Sequence, residues 1–245
     1  MSAHSLKPYS LRLATRTNPG LVRTRNEDSV FGDDVSGFMA IADGLGGHQH
    51  GQYCSQMAID LLSQDLTLKP IVSGADLESR LNLCNQALIK HQKHYPAFAN
   101  MRSTIVCAQL TADNTLCFVW AGDSRLYHYS DQGGLLQLTK DHTLKIQKLS
   151  RGEQPKPGDD NILTKSLGGN QVFEPGQGAI RPMPSDRLLL ATDGLTHVVT
   201  HDQIETHFAQ YDGAPESLAD ALIDQALNRG GPDNVTVLVA EIIAA

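Results

Sequence analysis

TIVCAQLTADNTLCFVWAGDSRLYHYSDQGGLLQL, residues 104–138, reads as four short apolar runs separated by turns. The runs fall near 104–110, 116–121, 125–130 and 135–138, and they carry the β-branched and aromatic residues that suit a pleated, half-buried surface. Their connectors are TADNT, AGDSR and DQGG. Turns that short join antiparallel neighbours, because a parallel pair needs a crossover of roughly a dozen residues or more. The block therefore predicts antiparallel hairpins.

Similar runs recur outside it, near 10–16, 37–42, 162–166, 186–191 and 235–242. Helical spacing appears in 52–66, where Met57, Ala58, Leu61 and Leu62 share a face, and in 76–91, where Leu77, Leu81, Cys84 and Leu88 do. Residues 215–228 form a third candidate helix, with Pro215 at its start and Gly230 just beyond its end. Strand, two helices, a block of strands, then helix and strand again describes an α+β domain. With 245 residues, 40% of them hydrophobic, and neither an internal repeat nor a linker-like tract, residues 1–245 read as one domain.

Composition narrows the function classes. The formal net charge is −7, and no basic stripe with interleaved aromatics is present, which argues against nucleic-acid binding. The stretch MSAHSLKPYSLRLATRT lacks the apolar core of a signal peptide, and no window reaches the roughly 18 apolar residues of a membrane span. A cytoplasmic protein with no membrane partner is expected. The cysteines Cys54, Cys84, Cys107 and Cys117 form no C-x-x-C pair and sit among apolar neighbours, as buried structural thiols do.

Acids recur at the ends of the apolar runs. GFMAIADGLGG and DRLLLATDGL share a shape, an apolar run followed by aspartate, glycine and leucine. A strand stopping there would place Asp43 and Asp193 at a sheet edge, with the glycine permitting a sharp exit. Asp123 in AGDSR and Asp233 in GGPDNVTVLV occupy similar settings, and VRTRNEDSV adds Arg23, Glu27 and Asp28 on a polar segment. Each aspartate alone is compatible with an ordinary turn. If they converge, they cannot all stay ionised without cations, and oxygen-only ligands select hard ions such as Mg²⁺ or Mn²⁺.

Other chemistries lack their signatures. ADGLGGHQHG (42–51) fails as a dinucleotide fingerprint because Gln49 stands where the last glycine belongs, and no P-loop lysine follows. There is no G-x-S-x-G, S-x-x-K or H-E-x-x-H. His48 and His50 read as polar loop residues, and His91 and His94 as a solvated helix face.

The ordered set R-x-x-N-E-D (Arg23 to Asp28), D-G-x-G-G-H (Asp43 to His48), G-D-S-R (Gly122 to Arg125), D-H (Asp141, His142), a T-x-S-L-G variant (Thr164 to Gly168), A-T-D-G-L (Ala191 to Leu195) and G-P-D-N-V-T (Gly231 to Thr236) resembles the bacterial type 2C, metal-dependent serine/threonine protein phosphatases. The resemblance implies an αββα sandwich, two stacked, mainly antiparallel sheets flanked by helices. It implies two Mn²⁺ or Mg²⁺ ions, with Asp43 bridging both. Asp193 and Asp233 would complete one, and Glu27 with the Gly44 carbonyl the other. Asp123 would serve a looser third ion, Asp28 would orient the metal-activated water, and Arg23 would grip the substrate phosphate. The implied reaction is hydrolysis of phosphoserine and phosphothreonine in proteins, by a monomer opposing a bacterial Ser/Thr kinase. A catalytically silent phosphoprotein-binding module and a hydrolase of small phosphoesters are the competing readings.

Three positions and one segment depart from the family pattern. Leu45 stands where eukaryotic relatives carry a histidine, His197 replaces an acid near the third ion, and Arg102 replaces a glycine. The segment between Asp141 and Asn161 is short for the family's flap, and its glycines, prolines and charges predict a loop.

Overall fold

In chain order the first strands are β1 (Ser10–Asn18), β2 (Asp28–Asp33), β3 (Phe38–Leu45) and β4 (Arg102–Ser103). They are followed by β5 (Ile105–Leu110), β6 (Leu116–Ala121), β7 (Arg125–Ser130) and β8 (Gly134–Gln137), then β9 (Gly176–Ile180), β10 (Arg187–Ala191) and β11 (Val235–Ile243). The helices are α1 (Gln49–Ser63), α2 (Gly74–His94), α3 (Leu144–Ser150), α4 (Asp193–Thr196), α5 (His201–Ala209) and α6 (Pro215–Asn228). This computed structural model describes residues 9–45, 49–66, 68–171, 173–211 and 213–244. Gly46, Gly47 and His48 of the glycine stretch lie outside them.

One sheet has the order β1-β11-β10-β7-β8, the other β2-β3-β5-β6-β9 with β4 added to β3. Each strand pairing in them is antiparallel. The strands read as continuous apolar runs because both faces of each sheet are covered. In β3, Met39 and Ile41 join a core between the sheets, whereas Phe38, Ala40 and Ala42 pack with α1 and α2. In β11, Leu238, Ala240 and Ile242 face the inter-sheet core, and Val235, Val237 and Val239 pack with α5 and α6. The period of two thus sorts one strand between two cores. The result is the α+β sandwich anticipated from the motifs.

The helix ends follow local chemistry. Ser73 caps α2 by accepting from the Asp76 amide at 3.2 Å, and Thr200 with Gln203 forms a capping box on α5. Arg80 donates to the Leu62 and Gln64 carbonyls at the end of α1, at 2.8 and 2.7 Å. All four cysteines are buried and unbonded, and burial pushes the Cys54 and Cys84 thiols up to about 12. Among the described residues no helix is long and apolar enough to cross a membrane.

Several local expectations change. TADNT and DQGG close hairpins, but AGDSR does not: β6 lies in one sheet and β7 in the other. Gly122, with φ +113°, turns the corner, and a Cβ there would lie 2.7 Å from Thr104. Residues 162–166 form no strand, and Leu163 makes only an isolated bridge to Thr143. The strand at that edge is β9, disguised by its glycines. Side chains at Gly176 and Gly178 would fall 2.4 Å from the Trp120 and Phe118 rings, so the neighbouring aromatics occupy that space instead. The polar segment at Asp28 is strand β2, the segment expected to be a loop holds α3, and His91 packs against Tyr53, Tyr95 and Phe98 rather than facing solvent.

Leu238→Ala empties part of the inter-sheet core and is expected to cost about 2–5 kcal/mol. Val35→Ala, at an exposed position, is expected to change stability by less than about 0.5 kcal/mol. Urea unfolding of both variants checks the contrast.

Candidate metal centre

The alternation that sorts the core also aims the acids. Asp43 shares the strand face of Met39 and Ile41, so its carboxyl points between the sheets at their end. Asp28 is its direct cross-strand partner in β2, on the face of Val30, which packs on the same core. From the other sheet, Asp193 starts α4 directly after β10 and Asp233 precedes β11. Asp123 sits in the corner between the sheets. A cavity of about 440 Å³ is lined by Arg23, Asp43, Asp123, Asp193, His197 and Asp233, with Leu45, Asn161 and Leu163 on its wall.

Neutral hydroxyls and amides hold this geometry. The Thr192 and Thr236 hydroxyls donate to Asp28 Oδ2 at 2.9 and 2.7 Å. The Asp43 amide donates to Thr104 Oγ1 at 2.9 Å, and its carbonyl accepts from Ser103 Oγ at the same distance. Asn234 ties three segments together: its Oδ1 accepts from the Glu27 amide at 2.8 Å, and its Nδ2 donates to the carbonyls of Pro19 and Arg25. The Asp123 corner is braced twice. Asp141 holds Arg125 through two bonds of 2.9 and 2.7 Å, and His142 Nδ1 accepts from the Gly122 amide at 3.3 Å. Burial pushes His142 down to about 4, so the ring stays neutral and able to accept.

Burial dominates the electrostatics, and the crowding of acids adds to it. Burial, then the neighbouring acids, raises Asp43 well above the usual carboxylate range. Burial lifts Asp28 to about 7 against the pull of its two threonines, and burial with Asp193 beside it lifts Asp123 to about 7. Asp193 is also raised, by burial first, although His197 and Arg23 oppose the shift. Asp28 Oδ1 and Asp193 Oδ1 are buried with no hydrogen-bond partner among the described residues. Unsatisfied oxygens in a carboxylate-rich pocket fit hard divalent cations.

The glycines after Asp43 and Asp193 have a different task from the one their sequence suggested. Strand β3 runs on through Gly44 to Leu45, and neither Gly44 nor Gly194 has positive φ. They permit close approach instead: a Cβ on Gly44 would fall 2.1 Å from the Gly51 carbonyl oxygen, and one on Gly194 1.9 Å from that of Asn234. Gly51 completes the cradle, since its Cβ would lie 2.0 Å from Glu27 Oε2 and 2.7 Å from the Gly44 carbonyl oxygen. That residue, with Thr104, Thr192, Asn234 and Thr236, was not singled out from sequence. All but Thr104 lie inside the motifs or in the glycine stretch, which was the available signal.

Arg23, 57% exposed at the rim, donates to Asp233 Oδ2 at 2.8 Å. Asp123, Asp193 and His197 offer ligand atoms within 4.8 Å of one another, and His197 Nδ1 lies 3.3 Å from Asp193 Oδ2. His50 belongs to the first turn of α1, where its ring meets Phe98. Asn161 and Leu163, at the end of the segment after Asp141, reach the cavity wall.

Residues 22–228 match the protein phosphatase 2C family, and the chain belongs to it. It is 36% identical over 242 residues to the serine/threonine protein phosphatase PstP of Mycobacterium tuberculosis, covering 95% of this chain and 45% of PstP. The chain thus spans under half the length of that relative. It is 33% identical over 241 residues to the serine/threonine phosphatase stp of Listeria monocytogenes, covering 92% of this chain and 94% of stp. The crystal structure of the PstP catalytic domain in complex with two manganese ions superposes with a TM-score of 0.86 at 34% identity, covering 96% of this chain and 99% of that one.

Raised carboxyls make the metal-free protein proton-dependent. A group that binds its proton more tightly when folded adds stability below its folded value, and that stability is lost as pH rises through it. Without divalent cations the protein is therefore expected to melt higher near pH 5 than near pH 8, and Asp43→Asn is expected to raise the melting temperature at the upper pH. Thermal scans in chelator check both. A wild-type chain that gains stability from pH 5 to pH 8 would show that the crowding is not felt.

Proposed function

We propose that this chain hydrolyses phosphoserine and phosphothreonine in proteins, using two divalent cations, Mn²⁺ or Mg²⁺. The observation that carries the reading is the meeting of Asp43, Asp123, Asp193 and Asp233 in one cavity with Arg23 at its rim. Asp43 would bridge the ions, Asp193 and Asp233 would complete one, and Glu27 with the Gly44 carbonyl the other. Asp123, with His197 in place of a family acid, is the residue for a third, weaker ion. When bound, such ions polarise a phosphoryl oxygen and bring the pKa of water toward neutrality.

The chain's own groups supply the rest. Arg23 binds the phosphate: its guanidinium offers parallel donors to two oxygens and offsets the repulsion between a dianion and an acidic pocket. Its present partner Asp233 is itself partly exposed, so the pair is easily exchanged. Asp28, held through Oδ2 by two threonines, keeps Oδ1 for a proton of the attacking water. Leu45 on the cavity wall has no proton to give. The intact acid set supports an enzyme over a silent binding module. A cytoplasmic monomer acting against a Ser/Thr kinase is the cellular setting we infer from the family.

A phosphothreonine peptide is expected to be hydrolysed with Mn²⁺ or Mg²⁺ and left intact in EDTA. Arg23→Ala is expected to raise KM roughly ten- to a hundred-fold while leaving Mn²⁺ affinity nearly unchanged, since a charged bidentate contact is worth about 1.5–3 kcal/mol. Steady-state kinetics with calorimetric Mn²⁺ titration tests this. Full turnover in chelator would overturn the reading, and a loss confined to metal affinity would overturn the role of Arg23.

A further inference from the structure

A second cavity, of about 310 Å³, adjoins the first, and Leu163 belongs to both walls. Its chemistry is opposite. Arg102 and Lys165 line it, together with the polar side chains of Thr164, Ser166 and Asn170. Among the described residues of its wall, the one acid is Glu174. In a chain of net charge −7, a hollow with two cations and one acid is a local reversal of sign.

Neither cation is consumed by the fold. Arg102 is exposed, and among the described residues its guanidinium has no hydrogen bond or ion pair. It does not take Glu174 as a partner. Gly169 lies beside it: a Cβ there would sit 4.0 Å from the guanidinium carbon, an ordinary contact. Lys165 spends one donor on the Glu174 carbonyl, at 2.8 Å, and an ammonium has three.

The register fixes where this lies relative to the acids. Arg102 pairs with Leu45, two residues beyond Asp43 on β3. With about 3.3 Å per residue along a strand and about 4.8 Å between strands, the Asp43 and Arg102 Cα atoms are roughly 8 Å apart. An extended peptide whose phosphoresidue enters the acidic cavity would bring a neighbour about two to four residues away over Arg102.

We propose that this cavity is a substrate subsite that binds a second anionic group on the phosphopeptide, a carboxylate side chain or another phosphate, through Arg102 and Lys165. The inference rests on the phosphatase reading and adds a substrate class to it. Arg102 acts on binding of the peptide and not on the reacting atoms, so its loss should appear in KM.

The test compares phosphothreonine peptides with neutral flanks, with glutamates about two to four residues to either side, and with a second phosphothreonine there. Para-nitrophenyl phosphate, too small to reach Arg102, serves as the baseline. Wild type is expected to show a kcat/KM about three- to tenfold higher for an acidic or doubly phosphorylated peptide than for the neutral one. Arg102→Ala with Lys165→Ala should bring that ratio close to one through KM, Arg102→Lys should keep much of it, and all should match wild type on the small ester. A gain with only one of the two anions identifies which the cavity takes. A wild type without preference, or a preference that survives the double variant, overturns the subsite while the small-ester activity leaves the phosphatase reading standing. No turnover of any substrate with Mn²⁺ overturns both.

Discussion

Asp28 and Asp43 face each other across β2 and β3 in the gap between the sheets. Directly opposed residues of an antiparallel pair hold their Cβ atoms only about 5 Å apart, and like charges at that separation repel. Asp123, Asp193 and Asp233 close on the same space from the other sheet and from the corner joining the two. Burial keeps water from screening Asp28, Asp43 and Asp123 and raises all three, Asp28 and Asp123 to about 7, so these carboxyls hold protons near neutrality unless cations replace them. The site exists only where the two sheets stack, which makes sandwich packing and site assembly one event. Apolar alternation therefore serves two ends, since the residues that fill the inter-sheet core also set the direction in which Asp43 points.

The surroundings make the crowding tolerable. Thr192, Thr236, Thr104 and Asn234 are neutral, so they orient carboxyls and backbone without adding charge to the pocket. Glycines do the complementary task of removing bulk, at Gly44, Gly51 and Gly194, where backbone must pass within contact of backbone or of Glu27. Arg125 with Asp141 and the neutral His142 fix the corner that carries Asp123. Positive charge is kept to the rim, on Arg23, and to the adjoining cavity, on Arg102 and Lys165. The proposed reaction on a phosphorylated protein calls for that division: ligands for cations inside, contacts for anions outside.

Much of this was legible in the sequence where a local signal matched a local structure. The apolar runs gave the central strands, and helical spacing at Leu77, Leu81, Cys84 and Leu88 gave α2, whose buried face they form. The acids were recognisable from their motifs, although their meeting in one cavity depends on strand order, which no short motif states. The failures are also physical. GQGAI hid β9 because its missing side chains make room for Trp120 and Phe118, a fact of the neighbouring strand. AGDSR looked like a hairpin turn because length alone does not distinguish a turn within a sheet from a corner between two. Asp-Gly suggested a strand end at residue 43, whereas β3 continues and Gly44 answers a clash with residue 51. Arg102 carried no meaning until β4 placed it opposite Leu45.

In the metal-free protein, protons hold the place of cations among these carboxyls. Calorimetric titration of Mn²⁺ into metal-free protein, repeated in buffers of different ionisation enthalpy, counts the protons displaced. The expected result is net proton release at about pH 6.5 that shrinks toward pH 8.5, because fewer carboxyls are protonated at the higher value. Mn²⁺ binding with no proton release at either pH would contradict it.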